Sequence, residues 1–125
     1  MSPPPRRVLI VDDSRLQRRI LSASLGRWGY VVEQAASGPE ALEHCRQTPP
    51  DIVISDWMMP EMNGPEFCQA FRAMSRETYG YFILLTWISE AGEVVHGLDA
   101  GADDFLTKPF SPKDLLTKVD AILAT

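Results

Sequence analysis

The sequence predicts a doubly wound α/β fold, in which five parallel strands form one sheet with helices on both of its faces. Short aliphatic runs alternate along the chain with longer segments of helical periodicity, and this alternation indicates βαβ units. The runs are solidly aliphatic, as is typical of strands that are covered on both faces. A chain of 125 residues is long enough for one such domain with its own core.

The predicted elements alternate strictly along the chain. Aliphatic runs predict the strands, at residues 8–11, 30–35, 52–56, 81–86 and 104–107. Helical spacing and helix-start residues predict the helices, at residues 14–28, 37–47, 65–74, 90–100 and from 111 onwards. In the first helix, the spacing predicts an inner face of Leu16, Ile20, Ala23 and Leu25, with Arg15, Arg18 and Arg19 on the outer side.

The composition narrows the classes of function. The formal net charge of −5 disfavours direct nucleic-acid binding, and no apolar run approaches the roughly 20 residues of a membrane span. Residues 1–6 lack the apolar centre of a secretory signal and are expected to be a disordered tail, followed by one domain over residues 7–125. The two cysteines fit neither a metal-binding spacing nor a disulfide framework. These features together predict a cytoplasmic location.

Polar side chains follow directly on four of the predicted strands. Asp12 and Asp13 come after the first strand, and Asp56 ends the third. Thr86 ends the fourth strand, and Lys108 comes after the fifth. Because sheets of this kind bind ligands outside the carboxyl ends of their strands, we expect these five side chains to lie together.

The chemistry of these five side chains is that of phosphoryl transfer. Three carboxylates beside a core need compensating positive charge, and Mg²⁺ binds to one or two carboxylates together with waters and phosphate oxygens. Lys108 adds a second positive charge, and Thr86 adds a hydroxyl that can bond to a phosphoryl oxygen. Asp56 is the predicted nucleophile, which would form an aspartyl phosphate.

Four motifs carry a resemblance to a known family. They are VDDS at 11–14, SDWMMPEMNG at 55–64, LLT at 84–86 and GADDFLTKPF at 101–110. Over residues 7–123 the chain resembles the response-regulator receiver domains of two-component signalling. The resemblance implies a single receiver domain with the flavodoxin-like (βα)5 fold and the strand order 2-1-3-4-5.

The resemblance also implies roles for the residues of the site. Asp56 would accept the phosphoryl group of a phosphohistidine on a histidine kinase or a phosphotransfer protein. Asp12, Asp13 and Asp56 would hold Mg²⁺ together with the backbone carbonyl of Met58. Such a domain is not an enzyme in the ordinary sense, although it catalyses its own phosphorylation and a slow autodephosphorylation.

A conformational switch is a further implication of the resemblance. Thr86 and Phe105 would form the switch pair, and the Lys108–Pro109 peptide bond would be cis, as in only about 5% of X-Pro bonds. Phosphorylation would then bias the surface of the fourth helix, fifth strand and fifth helix toward an active packing. An output domain, a partner protein or a second copy of the chain would bind to that surface.

Three apolar side chains near the site differ from what is common in the family. Trp87 follows Thr86 where a small residue is usual, so it either covers the loop or narrows the approach to Asp56 and slows small phosphodonors. Met58 and Ile88 lie two residues beyond Asp56 and Thr86, where polar side chains could orient an attacking water. Their apolar character therefore predicts a long-lived phosphoryl group.

Three alternative functions remain on the same evidence. A metal-dependent phosphatase with an aspartyl nucleophile would have a DxD arrangement on the first strand, whereas Asp12 and Asp13 are adjacent. A flavodoxin-like electron carrier would need a phosphate-binding loop there, and these two acids would repel the phosphate. A pseudo-receiver that acts only as a binding surface is disfavoured because all five site residues are present. The cognate kinase, the output and any attachment to a longer regulator are left open.

Overall fold

The structure is a computed structural model that describes residues 5–74, 76–87 and 91–124, without the side chains of residues 91–94. Ile88 and residues 1–4 of the expected tail lie outside the described residues. The strands are β1 (Arg7–Val11), β2 (Val31–Ala35), β3 (Ile52–Asp56), β4 (Tyr81–Thr86) and β5 (Asp104–Thr107). The helices are α1 (Arg15–Arg27), α2 (Gly38–Gln47), α3 (Gly64–Ala73), α4 (Ala91–Asp99) and α5 (Pro112–Leu123).

The strands of the described residues form a single parallel sheet in the order β2-β1-β3-β4-β5. The predicted doubly wound fold, including the strand order 2-1-3-4-5, is confirmed. After β1 the chain turns to one face of the sheet, and after β3 it turns to the other. The neighbouring carboxyl ends of these two strands therefore border a crevice, which is where sheets of this kind bind ligands.

The core has two parts, one on each face of the sheet. Along β1, Val8 and Ile10 pack on the face covered by α1 and α5, whereas Leu9 and Val11 pack on the face covered by α2 and α3. All four side chains are fully buried. Successive strand residues point to opposite faces, so a strand that is covered on both faces must be apolar throughout. This requirement explains the unbroken aliphatic runs of the sequence.

Most helices begin at a residue that caps the first turn. The cap side chains that accept a backbone N–H of that turn belong to Ser14, Ser37, Asn63 and Ser111. A cap residue lies just outside its helix, which is why α1, α2 and α5 each begin one residue after the predicted start. Among the described residues, no helix is long and apolar enough to cross a membrane.

The predicted inner face of α1 is largely wrong. The side chains that α1 buries are Leu21, Ser24 and Leu25. Leu16 and Ile20 are 68% and 46% exposed, and Ala23 is exposed as well. The helix has two apolar stripes, and the one that packs contains Leu21 and Leu25, one turn apart. Ser24 can be buried with them because its hydroxyl donates to the backbone carbonyl of Ile20 at 3.1 Å.

Gly97 allows α4 to lie directly against Trp57, the residue that follows Asp56. The Trp57 side chain is 5% exposed. A Cβ atom at position 97 would lie 2.7 Å from Cζ3 of Trp57 and 2.8 Å from Cδ1 of Leu84. These distances are too short for carbon atoms, so the helix reaches this position because residue 97 has no side chain.

We expect Gly97→Ala to destabilise the fold, because Trp57 and Leu84 must shift to make room for the added methyl group. Overpacking of this kind costs about 1–3 kcal/mol. Gly26→Ala in α1 is the matched control, since a Cβ there has nothing within 4 Å, and it should stabilise by about 0.5–1 kcal/mol. Urea unfolding of both variants measures the difference. Equal free energies of unfolding would contradict the close packing of α4 on Trp57.

Candidate functional site

The candidate site is a cavity of about 410 Å³ at the carboxyl edge of the sheet. The side chains that matter for its chemistry are Asp12, Asp13, Gln17, Asp56, Trp87 and Lys108. Thr86 lies at the end of β4, between the strands that supply Asp56 and Lys108, and is 1% exposed. The topology thus brings together the five residues that the sequence singled out.

Asp56 is buried, at 8% exposure, and its carboxylate is held on one side. Its Oδ1 accepts a hydrogen bond from Nζ of Lys108 at 2.7 Å and another from the backbone N–H of Trp57 at 3.0 Å. In the part of the chain that the structure describes, both hydrogen bonds to this carboxylate end on Oδ1. The second oxygen, Oδ2, is therefore the atom available for a new bond or a metal ion.

Three carboxylates converge beside the lysine. Asp12, Asp13 and Asp56 each offer an oxygen, and these oxygens lie within 4.8 Å of one another. Oδ1 of Asp12 accepts from the backbone N–H of Ser14 at 2.8 Å, whereas Oδ2 of Asp12 is buried without a hydrogen-bond partner. A buried carboxylate oxygen without a partner is costly, so these residues fit a hard cation that binds oxygen ligands.

The environment of Asp12 opposes its negative charge. Burial raises the pKa of this carboxyl above its ordinary value, and the nearby Asp56 and Asp13 carboxylates raise it further. The hydrogen bond from the N–H of Ser14 and the charge of Lys108 act in the opposite direction. The surroundings of Asp12 thus contain too little positive charge to balance its carboxylate, and a metal ion would supply that charge.

Arg18 supports the acidic loop in a way that the sequence reasoning missed. The first arginines of α1 were expected on the solvated outer side, but Arg18 is partly buried. Its Nη1 donates to the backbone carbonyl of Asp12 at 2.6 Å. Arg18 lies one turn after the cap residue Ser14, so its side chain can reach the loop before α1, but the contact depends on how α1 is rotated, which the sequence does not reveal.

On the side of β4 and β5, hydrogen bonds and packing connect the residues of the cavity to the core. The backbone N–H of Lys108 donates to the carbonyl of Thr86 at 2.7 Å, and the Lys108–Pro109 peptide bond is cis. Phe105 of β5 is half-buried and packs against the core on the α2–α3 face. Its carbonyl accepts from Nζ of Lys118 in α5 at 3.1 Å, so β5 and α5 are linked at this point.

The two described apolar side chains near the site are both exposed. Met58 and Trp87 are each 67% exposed. Trp87 is on the cavity wall, and its ring centroid lies 5.9 Å from Nζ of Lys108. Ile88, the third such residue, lies outside the described residues.

A model of the response regulator receiver domain matches residues 8–120. The chain belongs to this family. The response regulator MprA of Mycobacterium sp. strain KMS is 43% identical over 119 residues, which are 95% of this chain and 51% of MprA. The structure of the chemotaxis protein CheY4 of Vibrio cholerae matches with a TM-score of 0.89 and 38% identity, over 94% of this chain and 98% of CheY4.

Some members of the family are longer than this chain. It spans about half the length of the curated relatives that it matches. A probable two-component system response regulator with a GGDEF domain matches with a TM-score of 0.87 and 32% identity, over 95% of this chain and 49% of that one. The chain is therefore a receiver domain of a two-component response regulator. These matches give no specific support to a phosphatase or an electron carrier.

Proposed function

We propose that Asp56 is the residue on which this receiver domain is phosphorylated, and that the donor is a phosphohistidine. The observation that carries the proposal is the state of the Asp56 carboxylate. It is buried at the cavity floor, Lys108 and a backbone N–H hold its Oδ1, and its Oδ2 is left for the new bond. Asp12 and Asp13 lie beside it, as a metal-assisted transfer requires.

The transfer needs positioning and charge neutralisation more than covalent help from the protein. The P–N bond of the donor breaks, and a new P–O bond forms to Asp56. The product brings about −1.5 to −2 charge and three acceptor oxygens into the cavity. The ammonium of Lys108, 2.7 Å from Oδ1, can donate to one of these oxygens, and the hydroxyl of Thr86 can donate to another.

Mg²⁺ is the metal that suits this donor set. The carboxylates of Asp12, Asp13 and Asp56 would hold it with the backbone carbonyl of Met58. Support comes from the all-oxygen ligands, which Mg²⁺ prefers, and from the buried Oδ2 of Asp12, which has no hydrogen-bond partner. When bound, the ion neutralises charge on the carboxylates and on the phosphoryl group.

The exposed stripe of α1 is the surface on which the donor protein would dock. Leu16 and Ile20 lie one turn apart and are 68% and 46% exposed. Gln17, between them in sequence, lines the cavity of Asp56. An apolar stripe that adjoins a reaction site is suited to a partner helix, and a histidine kinase or a phosphotransfer protein is the partner that brings a phosphohistidine.

The partner that receives the signal would bind to a different surface, the one formed by α4, β5 and α5. Movement of Thr86 toward the phosphoryl group would leave space that the ring of Phe105 could enter, biasing the surface of α4, β5 and α5. Val95 and Leu98 of α4 are 53% and 42% exposed on this surface. An attached output domain, a partner protein or a second copy of the chain would bind there.

Asp56→Asn should abolish labelling by acetyl phosphate in the presence of Mg²⁺, because a carboxamide does not form a stable acyl phosphate here. Asp99→Asn, at an exposed acid of α4, is the control and should be labelled as the wild type is. Radiolabel incorporation and mass spectrometry of the labelled peptide measure the outcome. Stable label on the Asp56→Asn chain would remove Asp56 from this role.

The double variant Leu16→Ser/Ile20→Ser should slow phosphorylation by a histidine kinase that labels the wild type, by about tenfold or more. The loss follows from the two apolar contacts that the partner would no longer bury. Labelling by acetyl phosphate needs no docking and should change much less. Val31→Thr, at an exposed aliphatic residue of the edge strand β2, is the control. Equal slowing with both donors would argue against α1 as the docking surface.

The phosphoryl group of the wild type should persist well beyond seconds, because the apolar Met58 does not orient a water for attack. Met58→Asn should shorten the lifetime, and the apolar control Met58→Leu should preserve it. Both changes are at an exposed side chain, so the fold is little affected. The decay of radiolabel after removal of the donor gives the rates. Decay of the wild type within seconds, or equal decay of the two variants, would refute this role of Met58.

A further inference from the structure

Trp87 stands at the mouth of the phosphorylation cavity, directly after the buried end of β4. It is 67% exposed, whereas Thr86 is 1% exposed and Asp56 8%. A single exposed aromatic residue is common on protein surfaces, but this one forms part of the cavity wall together with Asp56 and Lys108. Its ring therefore borders the space that a phosphodonor must enter.

Lys108 connects this ring to the phosphoacceptor. Its Nζ lies 2.7 Å from Oδ1 of Asp56 and 5.9 Å from the centroid of the Trp87 ring. The second distance is at the outer limit of a cation–π contact, about 6 Å, so Lys108 is held mainly by Asp56. Most of the indole surface thus remains open to a second partner.

A phosphohistidine brings an aromatic ring to this part of the cavity. In an in-line transfer the leaving nitrogen lies on the far side of phosphorus from the attacking oxygen of Asp56, toward the mouth where Trp87 stands. The P–N bond breaks, its electron pair returns to the ring nitrogen, and the P–O bond forms to Asp56. When the second ring nitrogen carries a proton, the ring departs as neutral imidazole and no further proton is needed.

An indole can favour this leaving group in two ways. Stacked or edge-to-face aromatic pairs contribute about two- to tenfold to an affinity or a rate. A protonated phosphoimidazole is also cationic at the ring, and indole is the aromatic side chain that attracts cations best. Donors whose leaving group is small and not aromatic gain neither contribution.

We infer that Trp87 is a specificity-determining residue of the phosphorylation reaction: its indole contacts the imidazole ring of an incoming phosphohistidine. This inference rests on the proposed role of Asp56. It differs from a purely steric effect, in which Trp87 would narrow the cavity and slow a bulky donor at least as much as a small one. Removing a steric barrier would leave the ratio of the N-phosphoimidazole rate to the phosphoramidate rate unchanged or raise it, whereas loss of the aromatic contact lowers this ratio.

The test compares two small donors that differ in their leaving group. N-phosphoimidazole releases an aromatic ring, and phosphoramidate releases ammonia. Labelling of the full chain with each donor in Mg²⁺ gives two rates and their ratio. We expect Trp87→Ala to lower the ratio of the N-phosphoimidazole rate to the phosphoramidate rate by about two- to tenfold. Trp87→Leu should lower the ratio similarly, and Trp87→Phe should retain most of it.

Trp28→Ala is the matched control for the loss of an exposed indole. Trp28 is 62% exposed at the C-terminal cap of α1, away from this cavity, so the ratio should be unchanged. An unchanged ratio in Trp87→Ala, or equal acceleration with both donors, would overturn the inference. So would equal ratios in Trp87→Phe and Trp87→Leu, because only one of these side chains is aromatic. If circular dichroism shows that Trp87→Ala does not fold, the test compares Trp87→Phe with Trp87→Leu.

Failure of the proposed function has a different signature. If neither donor labels the wild-type chain, or if Asp56→Asn is labelled at the wild-type rate, Asp56 is not the phosphoacceptor. The ratio of the two labelling rates tests the role of Trp87 only when the wild-type chain is labelled on Asp56.

Discussion

The ion pair between Lys108 and Asp56 is the interaction on which the rest of the site depends. It joins β3 to the end of β5, two strands that are separated in the sheet by β4. Both side chains are nearly buried, at 13% and 12% exposure, so removing either one would leave an uncompensated charge beside the core. The pair therefore spans the end of β4 and defines the floor of the cavity above Thr86.

The negative charge of the site is larger than this one lysine can balance. Three carboxylates lie together, and Lys108 bonds to one of them, that of Asp56. Arg18 approaches from α1, but it donates to the backbone carbonyl of Asp12 and not to a carboxylate. The fold thus holds an excess of negative charge in place before any ligand arrives. Functional sites often store unfavourable interactions of this kind at a cost in stability.

Much of the fold and of the site could be predicted from the sequence, because both follow from simple physical requirements. A strand covered on two faces must be apolar throughout, so the strands were recognisable and the polar residues after them marked the functional edge. Asp12, Asp56 and Lys108 stood out for that reason. The face of α1 could not be predicted in the same way, since its sequence contains two apolar stripes and packing against the sheet and α5 selects Leu21 and Leu25.

Contacts between distant side chains and backbone atoms were equally beyond the sequence. The hydrogen bond from Arg18 to the carbonyl of Asp12 depends on how α1 is rotated, and the approach of α4 to Trp57 depends on where Gly97 falls. The disordered tail, the cytoplasmic location and the absence of direct nucleic-acid binding remain predictions. They concern the chain in the cell more than the packing of its core.

Trp57 contacts both Asp56 and α4, and so directly links the proposed phosphorylation site to the proposed output surface. Its backbone N–H bonds to Oδ1 of Asp56 at 3.0 Å, and its indole packs against Gly97 and lies 6.4 Å from the ring of His96 on α4. A rigid bicyclic ring converts a small rotation of its backbone into a larger displacement at its far end. One residue therefore connects Asp56, the proposed phosphoacceptor, to α4, which is part of the proposed output surface, so a small rotation at Asp56 would become a larger movement at this helix.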